Sequence, residues 1–157
     1  MSRRDQIRMT ADEVREYLAG QKVINVASIG PNGRPHLAPL WYFPHEDGVA
    51  TWTYSTSQKA KNLRRLPEAT VLVEDGDSYE KLRGVSFEAD VELVEDIDEV
   101  TRIGTALLQR YSGAKPEDPA STEMNAFIAG QAAKRVGLVF RPTKVVSWNH
   151  GKLGGTY

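Results

Sequence analysis

Apolar residues recur every second position along several stretches of the chain and every third or fourth along others, which separates strands from helices before any residue chemistry is considered. Val14, Tyr17 and Leu18 share one face behind Thr10 and Glu13, a capping-box pair, so a short amphipathic helix is expected over residues 11–19, stopped by Gly20. β-Branched and aromatic runs flank Pro31-Asn32-Gly33 between Lys22 and Phe43, the signature of a β-hairpin. A second turn, His45 to Gly48, leads into a strand in which Val49, Thr51, Thr53 and Ser55 alternate with Ala50, Trp52, Tyr54 and Thr56. A helix capped by Ser57 follows and should end at Pro67. Strands resume over residues 70–75 and, past a turn at Gly76, along the alternating run 84–96. Asp96 and Glu99 mark the start of a helix reaching about Tyr111, residues 112–121 read as a loop, and 122–134 as a helix. Residues 135–150 supply one strand, or two kinked at Pro142, before a glycine-rich tail.

Six or so strands joined mainly by hairpins, with helices between them, predict an antiparallel β-barrel with α additions rather than a doubly wound sheet. Pro35 and Pro39 remove two ladder donors from one strand, so that strand should bulge or lie at an opening. With 157 residues the chain fits a single domain over 1–157, large enough to bury a core unaided. The absence of cysteine excludes disulfides, thiolate metal sites and a cysteine nucleophile. No long apolar run and no signal peptide are visible, so a cytoplasmic protein without a membrane span is expected. A net charge of −1 makes the cations at Lys59, Lys61, Arg64 and Arg65 a local cluster, and no nucleic acid partner is expected. His36, His45 and His150 lack metal-ligand spacing, so no metal site is expected, and no G-x-S-x-G elbow marks a serine hydrolase.

The basic cluster raises a physical question. A helix start already carries about half a positive charge and free N–H groups, yet the turn behind Ser57 holds Lys59 and Lys61 and no carboxylate. A bound anion resolves the conflict; a solvated, mildly unfavourable surface helix is the alternative.

The order of these segments, with the pattern K-x-K-N-L-R-R-x-P at Lys59 to Pro67 followed directly by a strand, resembles the split β-barrel family of flavin and deazaflavin oxidoreductases that includes the pyridoxamine 5′-phosphate oxidase-like proteins. The resemblance runs from about Glu13 to Trp148 and is nearest the branch using the deazaflavin coenzyme F-420. It implies a mainly β, split antiparallel barrel with α additions, forming a homodimer with cofactor sites at the subunit interface. Ser57, Lys59 and Lys61 are then the phosphate cradle, with Asn62 and Arg65 nearby. Pro39, Leu40 and Trp41 lie along the ring, Thr53 and Ser55 point into the site, and Tyr79 and Trp148 close the pocket from the second subunit, with Asn149 and His150 beside them. The arginine-rich ending that binds the vitamin substrate in pyridoxamine phosphate oxidases proper is missing from residues 145–157, and Asp77 stands where relatives of the deazaflavin branch carry a bulky aromatic.

The cofactor question has two readings. Flavin mononucleotide (FMN) ends in one phosphate, whereas the deazaflavin carries a phosphodiester and a glutamate tail; Lys59, Lys61, Arg64 and Arg65 offer a track for the longer anion, unless the arginines are solvated or paired with acidic neighbours. The reaction expected is hydride transfer to a small conjugated substrate such as a quinone, enone or tetrapyrrole, with Tyr79 or His150 as candidate proton donors. The rivals are an FMN-dependent oxidase or reductase on the same fold and a non-catalytic cofactor carrier.

Overall fold

The computed structural model describes residues 1–113 and 122–155. The expected loop from 112 to 121 therefore lies almost entirely outside the described residues. Seven strands form one antiparallel sheet in the order β2-β1-β5-β6-β7-β4-β3, with β1 Val23–Ile29, β2 Pro35–Trp41, β3 Phe43–His45, β4 Gly48–Tyr54, β5 Glu68–Asp75, β6 Arg83–Val94 and β7 Arg135–Asn149. The hairpin β1–β2 pairs in unbroken register from Val23 with Trp41 to Ile29 with Pro35, and Gly33 takes the positive φ of 80° that its turn requires. Pro35 and Pro39 are accommodated because β2 is an edge strand, not because it bulges. The bulge occurs instead between β6 and β7, where Glu88 pairs with Lys144 but Ala89 with Pro142. Thr143 is left over, and β7 continues through as one strand.

The two edge strands, β2 and β3, are separated in sequence by Tyr42 alone. One residue cannot cross a flat seven-stranded sheet whose strands stand about 4.8 Å apart, so the sheet must roll until its edges approach, which makes the split barrel. Tyr42 is fully buried at this corner. Its hydroxyl donates to the Leu18 carbonyl at 2.6 Å, its N–H donates to the Tyr111 hydroxyl at 3.1 Å, and the Arg110 guanidinium lies 4.6 Å from its ring centre.

Five α-helices accompany the sheet among the described residues: α1 Arg3–Ile7, α2 Ala11–Gly20, α3 Gln58–Arg65, α4 Ile97–Ser112 and α5 Thr122–Ala132. The capping box at Thr10 and Glu13 forms as expected, and Tyr17 and Leu18 enter the core. The sheet's inner face carries the main core, including Ile24, Val26, Val71, Val85, Phe87, Leu138 and Phe140. Its outer face divides in two. Over β4 and the first half of β7, Ala50 and Val139 are covered by α4 and α5 through Val100 and Ala132. Over β1 and β2, the same side leaves Val23, Ile29, Leu37 and Trp41 open, with Leu37 69% and Trp41 53% exposed. Leu72, Val146 and Trp148 on β5 and β7 are half-buried on this side. No described helix is long and apolar enough to cross a membrane.

Candidate functional site

Helix α3 closes one end of the barrel. Ala60 and Leu63 are fully buried in the main core, and burying a leucine contributes roughly 2 kcal/mol to holding the helix there. Ser57 caps it: its Oγ accepts from the Ala60 N–H at 3.2 Å, and its carbonyl accepts from the Lys61 N–H at 3.1 Å. The amides of Gln58 and Lys59 find no acceptor among the described residues, and the first turn holds no acidic residue. Thr53, buried at the end of β4, places its hydroxyl 3.4 Å from that of Ser57. Lys59 is half-buried, and burial pushes its amine below the ordinary value of 10.5. Neither Lys59 nor Lys61 has a carboxylate partner among the described residues. Two hydroxyls and two open amides thus meet on one turn whose two lysines have no carboxylate partner among the described residues. Such a set fits a phosphate group, with three or four acceptor oxygens and a negative charge to share.

The remaining residues of the basic pattern face elsewhere. Arg64 donates to the Ser55 carbonyl at 2.7 Å and pairs with Glu95 at 3.2 Å, while Arg65 donates to the Ile29 carbonyl. The acidic pairing weighed for Arg64 is what the structure shows, and the track along Lys59, Lys61, Arg64 and Arg65 is reduced to its lysines. Asn62 lies inside the protein, fully buried: its amide donates to Ser28 Oγ at 3.1 Å, and its Oδ1 accepts from Gln58 at 2.8 Å. It supports the first turn of α3 from below rather than facing solvent. Ser55 is half-buried, its N–H donating to the Lys134 carbonyl at 3.0 Å.

A second group of predicted residues gathers far from α3. Tyr79, in the 3-10 turn Tyr79–Lys81 after β5, meets His150, in the turn His150–Leu153 after β7, edge-to-face with ring centres 4.5 Å apart. Nδ1 of His150 is buried without a partner. Trp148 pairs with Gly84 and lies across it so closely that a Cβ there would sit 2.2 Å from the indole. Beside them an open groove of about 700 Å³ is lined by Asp75, Asp77, Glu80, Arg83 and Asn149. Strand β5 begins just after α3 and ends just before this turn, and its eight residues span roughly 25 Å. Within one chain, the lysine turn and the Tyr79, Trp148 and His150 group therefore stand at opposite ends of the sheet. Trp41 belongs to the far end too, opposite Val23; Leu40 points inward opposite Ile24, and Pro39 outward opposite Asn25.

Three features escaped the sequence reading. The Trp41 indole stacks on Tyr111, ring centres 4.2 Å apart and planes 4° from parallel. Arg110 binds carbonyls of Leu18, Ala19, Gln21 and Tyr42, so the end of α4 staples α2 to the β2–β3 corner. Arg135, opposite Tyr54, carries its guanidinium 4.0 Å from the Tyr54 ring centre and 4.9 Å from that of Trp52. All three are long-range contacts that local spacing does not encode.

Comparison with known proteins places this geometry. A conserved hypothetical protein from Mycobacterium tuberculosis shares 36% identity over 100% of this chain and 95% of its own, with a TM-score of 0.88. A structure described as an F-420 reductase shares 25% identity over 83% of this chain and 94% of its own, with a TM-score of 0.61. The haem storage protein HutZ from Vibrio cholerae, at 15% identity over 87% of this chain and 93% of its own and a TM-score of 0.66, shares the fold. No curated protein matches the chain. The sequence profile described as pyridoxamine 5′-phosphate oxidase matches residues 10–149, the whole sheet with helices α2 to α5, and the chain belongs to that family.

Proposed function

We propose that this protein is a coenzyme F-420-dependent oxidoreductase acting as a homodimer, which transfers a hydride to a small conjugated substrate such as a quinone, enone or tetrapyrrole. The observation that carries the reading is the α3 turn, where half-buried Lys59 and exposed Lys61 stand without carboxylates beside the open amides of Gln58 and Lys59. The identity shared with an F-420 reductase favours the deazaflavin over FMN. Bound there, the deazaflavin supplies the hydride.

The chain's own residues bind and orient. Ser57 Oγ, Thr53 Oγ1 and the two lysines hold the phosphate, and Asn62 fixes the turn by tying Gln58 to Ser28. Tyr79 and His150 are the candidate proton source, with the unpartnered Nδ1 of His150 as the atom that holds the proton. They stand at the opposite end of the sheet from the cradle of their own chain, with β5 running between, so one pocket collects both groups only if two chains contribute. The bare outer face at Val23, Ile29, Leu37 and Trp41 supports that pairing, because an open apolar patch on a sheet marks an interface.

Titration of the purified protein with F-420 and with FMN, read by fluorescence, tests the reading. Selective deazaflavin binding with one site per chain is expected. Preference for FMN replaces the deazaflavin reading with that of a flavin enzyme, and binding of neither overturns both.

A further inference from the structure

The lysine turn accounts for one phosphate, and Arg64 and Arg65, the cations the sequence offers next, are spent on Glu95 and on the carbonyls of Ser55 and Ile29. A different arginine stands ready. Arg135 opens β7 directly across from Tyr54, the last residue of β4, and Ser57 N–H donates to the Tyr54 carbonyl in the turn that leads into α3. The neighbouring Lys134 carbonyl accepts from Ser55 within the same turn. Arg135 therefore flanks the entrance to α3 from the β7 side.

Its side chain is held but not neutralised. The guanidinium is stacked against the Tyr54 and Trp52 rings at 4.0 and 4.9 Å, while its Nε is buried without an acceptor. No carboxylate pairs with it among the described residues, although Arg8, Arg15, Arg64, Arg83, Arg102 and Arg141 all have one. A planar fork fixed by two aromatic rings loses little freedom on binding and keeps a geometry that matches a carboxylate. Tyr54 itself is 52% exposed, so the stack opens to solvent rather than into the core.

We propose that Arg135 is a second anion-binding residue, which takes a carboxylate of an acidic tail trailing from the phosphate held at α3. The proposal rests on the reading of α3 as the phosphate site and adds the ligand class that Arg135 selects: a molecule with carboxylates beyond its phosphate. A flavin mononucleotide carries no carboxylate for this arginine, whereas a glutamate-tailed deazaflavin does.

The test uses the full chain and three probes: F-420 with its glutamate tail, the same ring and phosphate without glutamates, and a free γ-glutamate trimer. Arg135→Met keeps an apolar stem between the rings and removes the fork; Arg135→Lys keeps the charge alone. Affinity for the tailed form should fall about tenfold in Arg135→Met and partly recover in Arg135→Lys, with the tail-less form bound equally by all three proteins. Lys59→Met, by contrast, should weaken both forms. Equal losses for tailed and tail-less forms in Arg135→Met, or no loss for either, overturn the proposal. If the wild type binds neither deazaflavin, the cofactor reading falls and the trimer decides: binding that Arg135→Met weakens retains Arg135 as a carboxylate site, and no binding overturns it. Circular dichroism of each variant separates loss of the fork from loss of the fold.

Discussion

Lys59→Met should do two things of opposite sign, and the pair is hard to obtain from any other arrangement. Lys59 sits in the first turn of α3, where the helix end is already positive, and no acidic side chain offsets it. A misplaced cation there costs about 0.3–1 kcal/mol. Burial adds to the penalty by lowering the amine from its ordinary value of 10.5. A lowered amine pKa means that the folded chain holds the proton less tightly than the unfolded one. The ligand-free protein must therefore gain stability as pH rises through the folded pKa toward 10.5, and it carries the full penalty at neutral pH. Methionine keeps the stem and removes the charge, so the ligand-free variant should be more stable by about 0.5 kcal/mol, a rise of about 1–2 °C in melting temperature. In the complex the same ammonium group makes a charge-assisted hydrogen bond, worth about 1.5–3 kcal/mol, so cofactor affinity should fall roughly ten- to hundredfold. Differential scanning fluorimetry on the ligand-free protein and fluorescence titration of the cofactor measure the two effects. A variant that melts lower and binds unchanged would refute the reasoning on both counts.

Three further outcomes are expected. Asn62→Ala leaves Ser28 and Gln58 without their buried partner and should cost about 2–3 kcal/mol, read from the urea midpoint; a loss under about 0.5 kcal/mol would show that the network is idle. Asp75 receives a bidentate bond from Arg83 and a further bond from the Tyr17 hydroxyl, which hold its carboxyl below the ordinary 3.8. Its contribution is thus present above that value and lost as pH falls through the folded pKa, so Asp75→Asn should be less stable than wild type at pH 7 and converge with it once the pH has fallen below that folded pKa; parallel acid limbs would contradict the linkage. Leu37→Glu alters a side chain that is 69% exposed in the single chain and should leave its folding within about 0.5 kcal/mol, yet shift sedimentation equilibrium from dimer to monomer; an unchanged dimer would place the interface elsewhere.

What the sequence disclosed depended on whether the governing interaction was local. The Thr10 and Glu13 box, the Ser57 cap, the Asn32-Gly33 turn and the alternation along β6 are all set by residues within a few positions of one another, and each appears where expected. Helix α1 was not anticipated, because it has a capping box at Ser2 and Asp5 but buries no residue and so shows no apolar stripe. The residues after Trp41 read as the end of one strand, yet Tyr42 is a buried corner tied by Leu18, Arg110 and Tyr111, two of them more than sixty positions away. Asn62 illustrates the same limit at the site. Its polarity suggests a surface position on a strongly basic helix, and its burial is intelligible only once Ser28 arrives from β1.

The two anomalies of the chain have one physical explanation. A cation in the first turn of α3 and an uncovered apolar half-face on β1 and β2 are both unfavourable for an isolated protomer, and neither is relieved within the chain. Each is a deficit of a specific kind: the turn lacks negative charge, and the sheet lacks an apolar cover. An anion would satisfy the first and a second copy would cover the second. On the proposed dimer the two are linked, because the cradle and the Tyr79, Trp148 and His150 group lie at opposite ends of β5 and would share a pocket only across its interface. Ligand and partner should therefore stabilise one another. A ligand bound by both chains favours the dimer by mass action, and the melting temperature of the mixture should rise with protein and ligand concentration together.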